Sequence, residues 1–329
     1  MLEPLVSIII PVYGVEYFVS KCIESLMKQS YSNIEYIIVD DASNDDSMKI
    51  TSDMIQQYPH RTNMVTFVHH EKNEGLPAAR NTGLNVAKGD YIFHCDSDDW
   101  VEPEMVEDMV RVAVEDKADI VYTDWLLTFK KNERYMVQPE SNSAKNCVRL
   151  MLNGSLRFNV WNKLIKRQLY QQFNILFPSG YAMGEDMTII KLFCHANRIS
   201  YIPKAYYHYQ QLNPNAYTKQ VSETKLAQVK FNAAKTIEYI EEKYGYEIFR
   251  NELNYFKLNI KLPFLIGADK KMYKLWRKWY PESNAFISGN PAFSRRIKII
   301  QYAAINNQDW LIKLHFYLVT RLVYGLIYK

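Results

Sequence analysis

Residues 5–12, Leu-Val-Ser-Ile-Ile-Ile-Pro-Val, are a continuous apolar run rich in β-branched side chains, and directly after it the period changes. From about Glu16 to Lys28 the apolar residues Phe18, Val19, Cys22, Ile23, Leu26 and Met27 recur at three-and-four spacing, which predicts an amphipathic helix. The alternation continues, with strands predicted over 34–40, 64–69, 90–95 and 119–123 and helices over about 44–58, 77–87 and 103–116. A strand that is apolar throughout is buried on both faces. Strands of this kind separated by helices predict an α/β fold, a Rossmann-like and mostly parallel sheet flanked by helices. From about residue 125 to 218 the pattern turns irregular and aromatic, and from about 222 it is mainly helical. Two regions are therefore expected, an α/β body over 1–218 and a helical C-terminal extension over 219–329.

At 329 residues, 48% hydrophobic and 14% aromatic, the chain can bury a large core and is neither fibrous nor disordered. Cys22, Cys95, Cys147 and Cys194 are scattered, with no Cys-x-x-Cys pair and no Cys/His set at zinc spacing, so free thiols in a reducing compartment are expected. No basic segment followed by an apolar run of signal length precedes the first strand, and a cytoplasmic location is expected. The net charge of +4 is unevenly divided: residues 261–329 carry twelve Lys or Arg against Asp269, Glu282 and Asp309, a local +9 that leaves −5 for the remainder. A basic, aromatic tail on an acidic body points to an anionic surface as the tail's partner, and no nucleic-acid partner is expected.

Ligands of an open parallel sheet bind beyond the carboxyl ends of its strands, and here those ends carry polar clusters. Asp40-Asp41-Ala42-Ser43 closes the second strand, Asn73-Glu74-Gly75 follows the third, and His94-Cys95-Asp96-Ser97-Asp98-Asp99 closes the fourth. Three carboxylates within four residues repel one another and are costly to desolvate. A hard divalent cation, Mg²⁺ or Mn²⁺, held together with substrate phosphates, suits Asp96 and Asp98. Capping of the helix near Pro103 by Asp98 or Asp99 is the plain alternative, and these residues alone leave both open.

Six segments taken in order carry a resemblance. Ser7-Ile-Ile-Ile-Pro-Val-Tyr13, Ile38-Val-Asp-Asp-Ala-Ser43, Asn73-Glu-Gly-Leu-Pro-Ala-Ala-Arg-Asn81, Asp96-Ser-Asp-Asp99, Trp161-Asn-Lys-Leu164 and Gly184-Glu-Asp186 resemble the signature set of glycosyltransferase family 2, over residues 5 to about 218. The resemblance implies a GT-A type nucleotide-diphospho-sugar transferase fold and metal-dependent, inverting transfer of a sugar from a nucleotide donor, expected to be a UDP-sugar. The chain departs from the family pattern at Gly14, where Asn is frequent, and at His208 and Gln210 in Tyr206-Tyr-His-Tyr-Gln210, where relatives often show Tyr and Arg.

By this resemblance Pro11, Val12 and Tyr13 border the nucleobase, and Asp41 accepts a hydrogen bond from base or ribose, with helix capping as its competing role. Gly75 lets backbone approach the donor. Arg80, one turn into a helix, reaches a phosphate or the uracil, the alternative being a surface salt bridge with Glu74 or Glu71. Asn81 is expected to hydrogen-bond to a loop. Asp96 faces the ribose and metal-bound water, and Asp98 binds the cation, which neutralises the departing nucleoside diphosphate. Inversion needs a base opposite the leaving group: Asp186, with Glu185 orienting acceptor hydroxyls, although acids at a helix start are also favoured by the dipole alone. Trp161 offers an indole face to the acceptor and Lys163 an ammonium to the diphosphate, against a core tryptophan and a solvated lysine on a helix. His69, His70 and His195 are expected to be structural, and His208 a candidate for the pocket wall.

In the tail, Lys313, Tyr317, Arg321, Gly325 and Lys329 recur every four residues on an otherwise apolar stretch from Trp310 to Lys329. Two internal cations argue against a membrane span. An in-plane interfacial helix, aided by Arg295, Arg296, Lys298 and the 270–279 cluster with Trp276 and Trp279, stands beside a helix buried in the core or in a homo-oligomer interface. The expected acceptor is a glycan or lipid-linked hydroxyl in surface polysaccharide assembly. Competing classes are a nucleotide-sugar-binding scaffold without turnover and a nucleotidyltransferase of shared topology, for which the chain lacks a Gly-rich triphosphate loop.

Overall fold

The structure is a computed structural model that describes residues 3–213 and 222–319. Its first half follows the hydrophobic periodicity. Strands β1 (Val6–Val12), β2 (Ile34–Asp40), β3 (Val65–His69) and β4 (Tyr91–His94) alternate with helices α1 (Val19–Met27), α2 (Ser47–Gln56), α3 (Pro59–Thr62) and α4 (Leu76–Val86). The four strands pair in parallel, with β1 between β2 and β4 and β3 outside β2. Every residue of β1 is buried, which is why its pattern is continuous rather than alternating. In α1 the buried residues are Val19, Cys22, Ile23, Leu26 and Met27, the stripe that the spacing marks.

The aromatic stretch holds the elements that periodicity does not show. After β5 (Trp100–Val101) and α5 (Met105–Glu115), β6 (Ile120–Thr128) runs beyond its predicted end and pairs with β7 (Glu133–Met136). Beyond α6 (Ala144–Asn153), β8 (Lys163–Lys166) enters antiparallel between β4 and β6, followed by α7 (Arg167–Gln172), α8 (Thr188–Phe193) and β9 (Ile199–Gln210). The segment around Trp161 and Lys163, read from sequence as part of a helix, is a turn entering this strand. Four residues are too few to display a period. The result is one sheet of nine strands, ordered β3-β2-β1-β4-β8-β6-β9-β5 with β7 on β6.

The helices α9 (Glu223–Tyr244), α10 (Arg250–Lys261), α11 (Lys270–Lys278), α12 (Arg295–Ile305) and α13 (Asp309–His315) complete the described chain. They share one hydrophobic cluster with the α/β body. The ring of Phe256 on α10 meets Phe158 edge-on at 6.4 Å, Asn259 Nδ2 donates to Leu152 O at 3.0 Å, and Arg149 pairs with Glu252 at 3.5 Å. Trp276 and Trp279, expected at a membrane interface, are instead buried: Lys261 Nζ lies 4.2 Å over the Trp276 ring and donates to the carbonyls of Trp279 and Tyr280. The region boundary near 218 lies outside the described residues, as do Arg321, Gly325 and Lys329 of the tail.

One close approach sets how α4 sits on the sheet. A Cβ on Gly83 would fall 2.4 Å from Ile9 Cγ2 of β1. Replacing a helical Gly by Ala ordinarily gains about 0.8–1 kcal/mol, whereas overpacking a core costs about 1–3 kcal/mol. Gly83→Ala is therefore expected to lower stability in chemical denaturation. A gain of about 1 kcal/mol in that measurement would mean that α4 can lift off β1 freely.

Candidate active site

The carboxyl ends of β1, β2 and β4 lie side by side, and their loops are tied together before any ligand is considered. Asp41 N–H donates to Val12 O at 3.0 Å, and Gly14 N–H to Ser43 Oγ at 3.2 Å. Asp41 departs from its expected role at the nucleobase. It is buried, with Oδ1 taken by His70 Nδ1 (2.7 Å) and the Glu74 N–H (2.8 Å) and Oδ2 by the Gly75 N–H (2.9 Å). Its carboxylate thus staples the loop that starts α4, where Gly75 has a φ of 88°, a left-handed value that suits glycine. Pro11 and Val12 are buried within β1, so of the three residues expected at the base only Tyr13 exposes its side chain.

Arg80 stands one turn into α4 and is 1% exposed. Neither Glu71 nor Glu74 pairs with it. Its Nη2 donates to Asp96 Oδ1 at 2.9 Å, and its Nη1 to Glu185 Oε1 at 2.9 Å and Asp186 Oδ1 at 3.1 Å. The guanidinium therefore faces protein carboxylates, not the phosphate or uracil expected of it. Asn81, the next residue, exchanges hydrogen bonds with the backbone of Phe177 (2.8 and 2.9 Å), which locks α4 to the loop leading to those acids.

The Asp96–Asp99 turn is held from β9. The Tyr207 hydroxyl accepts from Asp96 N–H at 3.1 Å and donates to Asp99 Oδ2 at 2.8 Å; Gln210 N–H donates to Asp99 Oδ1 at 2.7 Å. Asp99 is buried, and burial followed by the charges of Asp98 and Asp96 pushes its pKa well above the usual carboxylate range. Asp98 remains half-buried, with Oδ2 accepting from Asn213 Nδ2 at 2.9 Å.

Glu185 and Asp186 open a 3₁₀ turn over Glu185–Met187 that runs into α8, preceded by Gly184 at φ 84°. One guanidinium among three carboxylates leaves excess negative charge in a desolvated place. Burial, then Asp186, raises Glu185 to about 8, with Arg80 opposing. Burial raises Asp186 to about 6, again against Arg80. Both carboxyls are thus easier to protonate than ordinary ones, Glu185 the more so. Asp186 retains 26% of its side-chain surface against 11% for Glu185, so it is the member of the pair that solvent reaches.

Two expected ligands sit elsewhere. Trp161 is 4% exposed, parallel to the rings of Tyr207 (4.3 Å) and Tyr209 (5.2 Å) and edge-on to Trp125 (5.0 Å). Its indole is covered by protein and supports Tyr207, with no open face for an acceptor sugar. Lys163 is fully buried, donating to Arg157 O (2.9 Å), Asn159 O (2.6 Å) and Asn162 Oδ1 (2.8 Å); burial lowers its ammonium to about 7. Three acceptors satisfy its three protons, so it ties the 157–162 turn and has none left for a diphosphate. His208 is stacked on Trp100 (4.9 Å) between Glu102 (2.7 Å) and Glu133 (2.8 Å). Sequence reasoning missed Tyr207 and Asn213; the alternating aromatics of 206–209 are the strand signal that would have aimed Tyr207 and Tyr209 at one face.

Asp96 and Asp98 are the two carboxylates of their turn that are not buried, and their oxygens are the hard donors that Mg²⁺ or Mn²⁺ prefers. No group of three or more His, Cys, Asp or Glu among the described residues is placed to cage an ion. That donor set fits a cation completed by diphosphate oxygens and water, as Mg²⁺ sites on one or two carboxylates are.

This sheet with its acid-lined carboxyl edge is the GT-A architecture. The sequence model of glycosyl transferase family 2 matches residues 7–193, and the chain belongs to that family. EpsH of Bacillus subtilis (strain 168) is 32% identical, over 78% of this chain and 75% of its own length. The glycosyltransferase GlyG of Streptococcus pneumoniae serotype 4 is 29% identical, over 64% of this chain and 72% of its own. Among solved structures, Staphylococcus aureus TarS 1–349 superposes with a TM-score of 0.66 at 19% identity, covering 95% of this chain and 91% of TarS. TarS in complex with UDP-GlcNAc gives 0.63 at 17% identity, with the same coverage. The mannosyltransferase PcManGT from Pyrobaculum calidifontis, in complex with GDP-Man and Mn²⁺, gives 0.55 at 15% identity, covering 94% and 88%. The protein is a family 2 glycosyltransferase, related to enzymes of polysaccharide biosynthesis.

The raised pKa of Glu185 has a consequence for stability. A carboxyl at about 8 in the folded chain, against an ordinary 4.5, binds more protons folded than unfolded across that window, so its contribution is lost as pH rises through it. Glu185→Gln is expected to flatten the decline of Tm between roughly pH 5 and 8. A decline as steep as that of the unsubstituted protein would place the pKa of Glu185 near its ordinary value.

Proposed function

We propose that the protein transfers a sugar from a nucleotide-diphospho donor, a UDP-sugar, to a hydroxyl of a glycan or lipid-linked acceptor with inversion, in cell-surface polysaccharide assembly. The observation that carries this reading is the convergence of Asp96 and Asp186 on one guanidinium. Sharing Arg80 keeps the two acids close, which supports a donor-side role for Asp96 and an acceptor-side role for Asp186 at one site. The structural likeness to TarS in complex with UDP-GlcNAc supports a UDP donor, and the likeness to PcManGT with GDP-Man and Mn²⁺ supports a divalent metal.

In this reading Asp186 is the general base. The member of the pair that solvent reaches, it takes the proton of the acceptor hydroxyl as that oxygen attacks the anomeric carbon from the face opposite the leaving diphosphate. Glu185 orients the acceptor. Asp98 and Asp96 would hold a divalent cation, which would supply Lewis-acid neutralisation of the charge on the departing nucleoside diphosphate. Arg80 keeps Asp96, Glu185 and Asp186 at fixed separations. Tyr13 borders the base, and Gly75 shapes the loop next to it.

Asp186→Asn is expected to lower transfer by about 10²–10⁴-fold while UDP with Mn²⁺ still raises Tm. In the unsubstituted enzyme kcat/KM should fall as pH drops below about 6, where Asp186 takes up its proton. A pH-independent rate from 5 to 8, or full activity of the Asn variant, removes Asp186 as the base. UDP binding without consumption of any UDP-sugar would favour the scaffold, and pyrophosphate release from a nucleoside triphosphate the nucleotidyltransferase.

The membrane reading of the C-terminal region now rests on different residues. No described helix is long and apolar enough to cross a bilayer. Ile299 on α12 is 60% exposed and Trp310 on α13 64%, near exposed Tyr302 and Leu314 and the cations Arg295, Arg296 and Lys298. Apolar and aromatic side chains beside cations suit the surface of an anionic bilayer. The double variant Ile299→Ser, Trp310→Ser should lose co-sedimentation with phosphatidylglycerol vesicles. Unchanged sedimentation would assign this strip to another partner.

A further inference from the structure

A cavity of about 310 Å³ lies between α8 and α9, beside the turn that carries the two acids. Gly184 and Met187, which bracket Glu185 and Asp186, are part of its wall. The wall is also aromatic: Tyr181 and Phe231 stack with centroids 3.8 Å apart and planes 14° apart, and Tyr181 is partly exposed. The loop that forms one side is held in place, since Asn232 Nδ2 donates to Tyr181 O and Met183 O, both at 2.8 Å.

Two cations line the same cavity, Lys191 from α8 and Lys235 from α9. Lys191 is half-buried and has no carboxylate within ion-pairing reach among the described residues; burial, then the charge of Lys235, lowers its pKa, with the more distant Glu238 opposing. Lys235 pairs with Glu238 at 2.7 Å, but both side chains are 53% exposed, and such pairs contribute little. The two ammonium groups therefore repel each other across a concave, partly desolvated surface. An anion placed between them would replace that repulsion with attraction, and a sugar ring beside it would find an aromatic wall for its apolar face.

We infer that this cavity is an acceptor subsite for an anionic group, a phosphate or a carboxylate carried on the acceptor glycan, held by Lys191 and Lys235 beside Tyr181 and Phe231. The inference rests on the proposed transfer reaction and adds the acceptor's charge to it. An acceptor anchored here by its anion has its neighbouring hydroxyl next to the Glu185–Asp186 turn, so the lysine pair selects acceptors without touching the donor.

The test uses the full chain with its nucleotide site saturated by UDP and Mn²⁺, titrated with inorganic phosphate, glucuronate and, as the neutral control, glucose, with binding followed by ligand-detected NMR. Lys191→Gln and Lys235→Gln are each expected to weaken the anion about fivefold, the scale of one lost charge pair, while the remote Lys88→Gln leaves it unchanged. The Tm increment from UDP with Mn²⁺ should match the unsubstituted protein in all three variants, which also shows that they fold. Phosphate binding lost in the lysine variants identifies a phosphate-bearing acceptor, and glucuronate binding lost in them a uronate-bearing one. Absence of anion binding, or binding indifferent to both lysines, overturns the subsite. Failure of UDP to raise Tm would instead strike the proposed donor and leave the lysine dependence to be read by itself.

Discussion

A guanidinium with 1% of its surface exposed must be matched by anions, because the cost of burying an unpaired charge exceeds the stability of a whole domain. Arg80 is matched by three, and they come from separate parts of the chain: Asp96 lies 16 residues away, Glu185 and Asp186 lie 105 and 106 away. The end of β4, the start of α4 and the turn before α8 are thereby brought to one point. Around that point each loop has its own fastening, Asp41 on the α4 loop, Tyr207 on the Asp96–Asp99 turn and Asn81 on the Phe177 loop.

The same interaction sorts the acids chemically. One positive charge cannot neutralise three negative ones in a place largely shut off from water, so the excess appears as protonation. Both carboxyls are pushed up, Glu185, the more covered, further than Asp186, which lies nearer solvent. The stacking of Trp161 on Tyr207 contributes from one layer further out, because the hydroxyl it steadies holds both Asp96 and Asp99.

The C-terminal helices belong to this arrangement as well as to the surface. α9 forms one side of the cavity beside the acidic turn, and α10 packs on α6 through Phe256, Asn259 and Glu252. The tryptophans of α11 and its flank are buried against Lys261 and Phe264, whereas Ile299 and Tyr302 of α12 and Trp310 and Leu314 of α13 are exposed.

Sequence alone determined the parallel half of the fold and where its ligands would gather. The continuous apolar runs of β1, β2 and β4 and the stripe of α1 are local patterns, and local patterns survive in one dimension. It also marked Asp96, Asp98, Glu185 and Asp186, because carboxylates crowded into short turns are conspicuous wherever they fall. Only the tertiary structure decided what Asp41, Arg80, Trp161 and Lys163 face: a staple for a backbone loop, three distant acids, two tyrosines of β9, and a turn's own carbonyls. An arginine or a tryptophan reads the same in sequence whether its partner is a ligand or the protein. What separates the two is burial, and burial is settled by chain segments a hundred residues apart that no local period records.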